Sequence, residues 1–318
     1  MQEGYDNEVR RDQVPDIPYG YDYKNNVGMN IPTYSYFNSD EVSSAAQKAV
    51  RRGFYSEAIQ WFLELYFTSN HRRTNIWNRA LVMAVEDIGP ADPLMILKIY
   101  YLFKIKSEQA LITAAILLAK SKKTRVNDWL AHIHDKVIFD DEELDQLQNK
   151  LLLSLQNYDL QSSIYYADAL YMSKRKYRNK NSQICIWNVF DTMNSCYVNT
   201  LKEIALMDNW RWNEKSRLIY IHIILLWCSK RVPPISSIII NIDNEVNEIL
   251  DKFMKRINLV GIPEYALDKH TRRGKSLGRG IKHFIEEAAK LNNEDITWKP
   301  LSDYALNIIN NNLDKVNF

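Results

Sequence analysis

Glycine and proline number only nine each in 318 residues, and that scarcity narrows the fold more than any other feature of the chain. Average usage is about 7% glycine and 5% proline. Turn-dense sandwiches and barrels, or a collagen-like repeat, need many more of both. The apolar residues meanwhile recur at the 3.6-residue period of a helix. Val42, Ala45, Ala46, Ala49 and Val50 form one such face, and Ala58, Ile59, Phe62, Leu63, Tyr66 and Phe67 form the next. Ser39 and Ser56 are placed as N-caps, and Gly53 ends the first helix. A similar pair is read at Leu151–Leu155 and Ile164–Met172, broken near Asn157-Tyr158-Asp159. The expectation is an all-α protein of stacked helical hairpins, in one large or two closely packed helical domains.

Three segments follow from the composition. Residues 1–38 carry Pro15, Pro18 and Pro32 among Tyr19, Tyr21, Tyr23, Tyr34, Tyr36 and Phe37, without a helical period. They read as an extended arm, because proline fixes φ and removes an amide donor. Such an arm either packs on its own domain through its rings or straps onto a protein partner, since exposed aromatics tend to be covered. The first reading is the more economical. Residues 39–173 form a first helical domain. Its helices continue at Ile76–Val85, Leu94–Ala119 and Asp140–Leu155. Residues 174–318 form a second helical region, opened by the basic link Lys174–Lys180. It is predicted to hold helices at Ile184–Met207, Leu218–Ser229, Ile242–Ile257 and Leu301–Leu313.

No apolar run reaches the roughly 18 residues that span a bilayer, so no membrane is expected. Gln2 and Glu3 open a segment unlike a secretion signal, and three scattered cysteines suit neither a disulfide framework nor a zinc knuckle. The expected location is cytoplasmic, nucleoplasmic or a viral replication compartment, and not secreted. A net charge of +2 predicts no polyanion partner by itself; local charge has to decide.

The densest local charge lies between Gly261 and Phe284. Lys269, Arg272, Arg273, Lys275, Arg279 and Lys282 place six cations within fourteen positions, interleaved with Gly274, Gly278 and Gly280. Cations and open backbone amides together suit phosphate, so Lys269, His270, Arg272, Arg273, Gly274, Lys275, Gly278, Arg279 and Lys282 are the expected nucleic-acid-binding residues. The bland alternative is a solvated loop whose arginines pair with acids elsewhere. Gly274-Lys275-Ser276 is no nucleotide-binding P-loop, because Lys269 stands where that pattern needs glycine and no apolar strand precedes it.

Other clusters carry less. His132, His134 and Asp135, followed by the acidic run Asp140–Glu143, have a metal-like composition. Yet residues two apart on a helix face different sides, and helix N-termini attract acids, so surface polarity is preferred to a metal. Asp268, His270 and His283 form a conceivable acid–base set that no spacing compels. No cofactor is expected. Glu86–Pro93 reads as a helix-to-helix joint, with Gly89 in the left-handed position after a helix, Pro90 blocking its continuation and Asp92 and Pro93 opening the next.

Two of these segments carry a resemblance. Ala49–Trp61, followed by Trp77–Pro93 with its Glu-Asp-Ile-Gly-Pro-Ala-Asp-Pro joint, resembles the C-terminal helical region of the MgsA/RarA-like ATPases. This replication-associated recombination family includes the Werner helicase-interacting protein. Ile262–Gly274 with Gly278-Arg279-Gly280 is similar to stand-alone phage, viral and bacterial relatives of that region. The likeness spans about residues 45–125 and 258–290, a third of the chain. It departs from the family in lacking the ATPase module, so no catalytic residue carries over. The resemblance implies a helical assembly and DNA-handling module.

The expected function is therefore a non-enzymatic accessory protein of DNA replication or genome maintenance that binds DNA and forms a homo-oligomer. The alternative is a structural or scaffold protein, part of a viral particle or factory, whose basic segment meets protein.

Overall fold

The computed structural model describes residues 32–135, 137, 139, 142–177, 181–207, 214–238, 240 and 245–313. Residues 1–31 of the expected arm, Asp140 and Asp141, and the Arg178–Lys180 end of the basic link lie outside them. The described residues form fifteen α-helices joined by short 3-10 and π turns, with no sheet. In chain order these are α1 (Ser39–Arg52), α2 (Tyr55–Thr68), α3 (Asn70–Met83), α4 (Met95–Ile105), α5 (Glu108–Lys120), α6 (Val126–His132), α7 (Leu144–Gln156) and α8 (Leu160–Tyr177). Then follow α9 (Asn181–Asp191), α10 (Cys196–Ala205), α11 (Glu214–Cys228), α12 (Val246–Met254), α13 (Arg272–Ser276), α14 (Ile281–His283) and α15 (Lys299–Leu313). No described helix is long and apolar enough to cross a membrane.

The chain divides into two compact units that are discontinuous in sequence. Among the described residues, one holds 32–80, 102–120 and 245–292, and the other holds the rest. The boundary expected between 173 and 174 falls inside α8, within the second unit.

In the first unit, α1 and α2 form the expected hairpin. Gly53 closes α1 at φ 73° and ψ 16°, its amide satisfying carbonyls of the last turn. Trp61, Phe62, Leu63 and Leu65 of α2 are completely buried, each contributing about 1.5–3 kcal/mol through removal from water. The end of the arm folds back on this hairpin. Ser35 gives its amide and hydroxyl to the buried Glu64 carboxylate, Phe37 meets Trp61 edge-on at 5.6 Å, and Tyr34 lies 5.8 Å from Phe67. Residues 33–38 thus pack on their own unit by their rings, and as a turn rather than the expected extended arm: the Thr33 amide donates to the Phe37 carbonyl and the Tyr36 amide to the Thr33 carbonyl, both at 2.9 Å, with Tyr36 at φ 69°.

In the second unit, α7 and α8 form the other expected hairpin, and α11 runs through the core. Leu218 to Leu226 of α11 are buried on every side, as befits a helix apolar all round. His222 interrupts that run and is satisfied by a relay. Asn127 donates to its Nδ1 at 3.0 Å, Nε2–H reaches Tyr197 Oη at 2.8 Å, and Tyr197 donates to the Pro93 carbonyl at 2.5 Å. Burial pushes His222 down to about 3, so the ring is neutral, as this relay requires.

The Glu86–Pro93 joint lies in the same unit and is structural. After α3 the chain makes a π turn, Ala84–Ile88, and a 3-10 turn, Gly89–Ala91. Gly89 has the expected positive φ of 50°, but its ψ of −133° lies outside the left-handed helical well assigned to it. A side chain is excluded there as well, because Asn127 packs 2.8 Å from where a Cβ would stand. Glu86 and Asp87 hold the buried Arg125 at 3.2 and 3.5 Å, and Arg125 stacks on Trp129 at 4.3 Å.

Candidate nucleic-acid interface

The basic segment belongs to the first unit and is built on α1. Ser44 and Lys48, one turn apart, both donate to the Ala266 carbonyl, at 2.7 and 2.9 Å. Lys48 also pairs with Asp268 at 2.7 Å, with both side chains almost fully buried. Asp268 accepts the His270 amide at 2.8 Å and meets its Nδ1 at 3.2 Å. Burial pushes the Asp268 carboxyl up, but His270 and Lys48 outweigh it, and the group is held below the usual carboxylate range. Burial brings Lys48 down to about 8, with Asp268 opposing the shift. The segment is therefore anchored through a buried, hydrogen-bonded ion pair, a geometry that breaks only at high cost.

Above this anchor the chain turns tightly. Thr271 caps α13, its hydroxyl accepting the Gly274 amide at 3.1 Å. Gly274 is buried, and a Cβ there would overlap the Asp268 backbone and approach Thr271 Oγ1 to 2.6 Å. Gly278 takes φ 71° in open space, and its amide returns to the Lys275 carbonyl at 3.0 Å. The expectation that Gly274 and Gly278 offer amides to phosphate is thereby corrected. Both amides are spent inside the turn, and both glycines shape it.

The cations divide in two. Arg279 turns inward: its guanidinium donates to the Glu264 and Leu267 carbonyls at 3.0 and 2.9 Å and pairs with the Glu264 carboxylate. It works as a clamp on the segment. Arg273 is half exposed and lies 3.3 Å from Glu41 of α1. Lys269 lies over the Phe284 ring at 5.1 Å. Arg272, Lys275 and Lys282 stand exposed, the last only loosely near Glu286 at 3.9 Å, and His270 is exposed beside them. Of the nine expected residues, His270, Arg272, Arg273, Lys275, Gly278 and Lys282 are exposed. His270 and Asp268 are neighbours in space, whereas a nitrogen of His283, Nδ1, is buried without a hydrogen-bond partner and is not joined to them by any bond.

Lys48, Ser44 and Glu41 were not legible as site residues. Their signal was spacing: Glu41, Ser44 and Lys48 fall three and four apart on α1, a polar row beside the buried alanines and valines of that helix. The surface polarity expected of His132 and His134 holds only for His132, which is exposed and bonds the Asp128 carbonyl at 2.7 Å. His134 turns inward to the buried Asp168 at 2.8 Å. Among the described residues no group of three His, Cys, Asp or Glu side chains is placed to share a metal ion.

Comparison of the chain with protein-family models, with curated proteins and with solved structures finds no match.

Proposed function

We propose that this chain is a non-catalytic nucleic-acid-binding accessory protein, acting on DNA in replication or genome maintenance and self-associating through its helices. The observation that carries the reading is the exposure of the cations of the 269–282 turn. Arg272, Lys275 and Lys282 are exposed together with His270 and half-exposed Arg273, no acidic residue stands among them in the sequence, and the carboxylates that meet this stretch from α1 are Asp40, on the Arg272 amide, and Glu41, on Arg273. A turn fixed by a buried ion pair keeps its long side chains near one another, which lowers the ordering cost of meeting a phosphate backbone. The likeness to the helical C-terminal region of MgsA/RarA-like ATPases supports DNA rather than another polyanion, and an oligomer as the working form.

The test is fluorescence anisotropy of a labelled duplex at several salt concentrations. The triple variant Arg272→Ala, Lys275→Ala, Lys282→Ala should weaken binding across unrelated sequences without changing base preference. Binding that the triple variant retains at every salt concentration would instead favour the scaffold reading, in which Arg273 and Arg279, already paired with carboxylates here, mark a surface for acidic protein.

A further inference from the structure

The second unit holds a groove of about 460 Å³ whose wall contains an unusually expensive piece of structure. One side is lined by Leu160, Gln161 and Tyr165 from α8, the other by Leu301, Tyr304 and Ile308 from α15, and His134 stands in it just beyond α6. Behind His134 lies Asp168, completely buried. Its two oxygens receive Arg217 Nε and Nη2, each at 2.9 Å, Tyr220 Oη at 2.9 Å and His134 Nδ1 at 2.8 Å. Burying a carboxylate and a guanidinium costs several kcal/mol per ion before pairing. Apolar residues of similar size fill a core without that cost. What the network achieves is to fix one imidazole, from three separate elements, at the wall of a groove.

The Asp168 oxygens are acceptors, so the ring meets them with Nδ1 as the donor, while Arg217 is shared between Asp168 and Asp135, the latter at 2.6 Å. The one hydrogen-bonding atom left on this groove-lining ring is then Nε2. Tyr304 supplies a second polar group. Its oxygen accepts Gln161 Nε2 at 3.2 Å, which leaves its own O–H to donate. The other groove surfaces are the rings of Tyr165 and Tyr166, aliphatic side chains and Ser162, whose hydroxyl donates to Asp159 at 2.6 Å.

We propose that this groove binds a nucleobase, as a free nucleoside or as one unpaired base of a strand. A planar heterocycle stacks on tyrosine, and its edge carries hydrogen-bonding atoms for His134 Nε2 and a carbonyl or ring nitrogen for the Tyr304 hydroxyl. A lipid chain or an aliphatic side chain would desolvate both polar groups without replacing their bonds. The volume suits a small ring system rather than a folded partner. The inference does not rest on the cationic turn, because a nucleoside has no phosphate.

The experiment titrates the full chain with uridine, cytidine, adenosine and guanosine, following tyrosine and tryptophan fluorescence and the ring nitrogens of His134 by NMR. Saturable binding of at least one nucleoside, with the Nε2 resonance moving as a hydrogen bond forms, is the expected result. His134→Phe should weaken it at least tenfold and Tyr304→Phe about fivefold, while toluene binds at least tenfold more weakly than the best nucleoside. Ile308→Trp, on the groove's edge, blocks binding without touching the buried network, and serves if His134→Phe does not fold. No saturable nucleoside binding, toluene binding as well as nucleosides, or binding by Ile308→Trp equal to wild type overturns the proposal. The triple variant of the cationic turn should bind nucleosides like wild type, so the two functional readings fail separately. A short single-stranded oligonucleotide competing with the nucleoside would assign the source to a strand, and its failure to compete would assign it to the free nucleoside.

Discussion

Three glycines make different demands, and only one of those demands was legible in the sequence. Gly89 sits between Ile88 and Pro90 in a joint whose prolines already require a sharp turn, so a positive φ could be read from its neighbours. Gly89→Val adds strain at φ 50° and a Cβ against Asn127, which itself supports Val85 and His222. It should cost about 1–3 kcal/mol or more, seen as a lower melting temperature. Gly274 looked like a phosphate-facing glycine because its neighbours are arginine and lysine; only the folded turn reveals the Asp268 backbone against it. Gly274→Ala should destabilise the turn and weaken nucleic-acid binding with every charge retained. Gly278→Ala meets open space, so only its φ of 71° opposes it, at about 1 kcal/mol, and binding should survive. A Gly274→Ala protein that melts and binds like wild type would refute the assigned packing.

At the scale of an element, the segment behaves as a lid riveted to α1, and its rivet is titratable. The folded Asp268 lies below its ordinary value of 3.8, so its contribution to stability is fully present above that value and is lost as pH falls from there through the lower folded value. Lys48→Met leaves the carboxylate buried without its partner and should cost about 3–5 kcal/mol near pH 7. The His270 bonds that lower the carboxyl remain in the variant but the Lys48 contribution is gone, so the pH dependence of this group weakens. Urea unfolding of wild type and Lys48→Met at pH 7 and pH 3 should therefore show a gap that narrows on acidification. A gap that stays constant or widens would mean that Lys48 does not hold Asp268. The helices themselves were legible from apolar period and caps. The rivet was not, because a lone lysine on a helix reads as solvent-facing until Ala266 and Asp268 are known to lie over it.

For the whole molecule, helical class could be read from composition because glycine scarcity and a 3.6 period act on every segment alike. The weaving of the units could not, since each unit gathers stretches from distant parts of the chain, and periodicity carries no information about which stretches meet. The same holds for His134, whose partner Asp168 lies 34 positions away on another helix. Charge is the one global property that bears on the proposed function, and it sets a ceiling. With a net charge of +2 the molecule has little long-range attraction for DNA, so the 269–282 turn must supply most of the phosphate contacts. Its outward cations are Arg272, Arg273, Lys275 and Lys282, with Arg273 partly engaged by Glu41. If each neutralises one phosphate, log affinity against log salt should fall with a slope of about 3 to 4 on duplex DNA, at roughly 0.9 per contact. The triple variant should reduce that slope by about 2.7. Arg279→Ala should lower stability through its lost carbonyl bonds and leave the slope nearly unchanged wherever the protein remains folded. A wild-type slope well above 4, unaffected by the triple variant, would place the nucleic-acid contact on another face of the molecule.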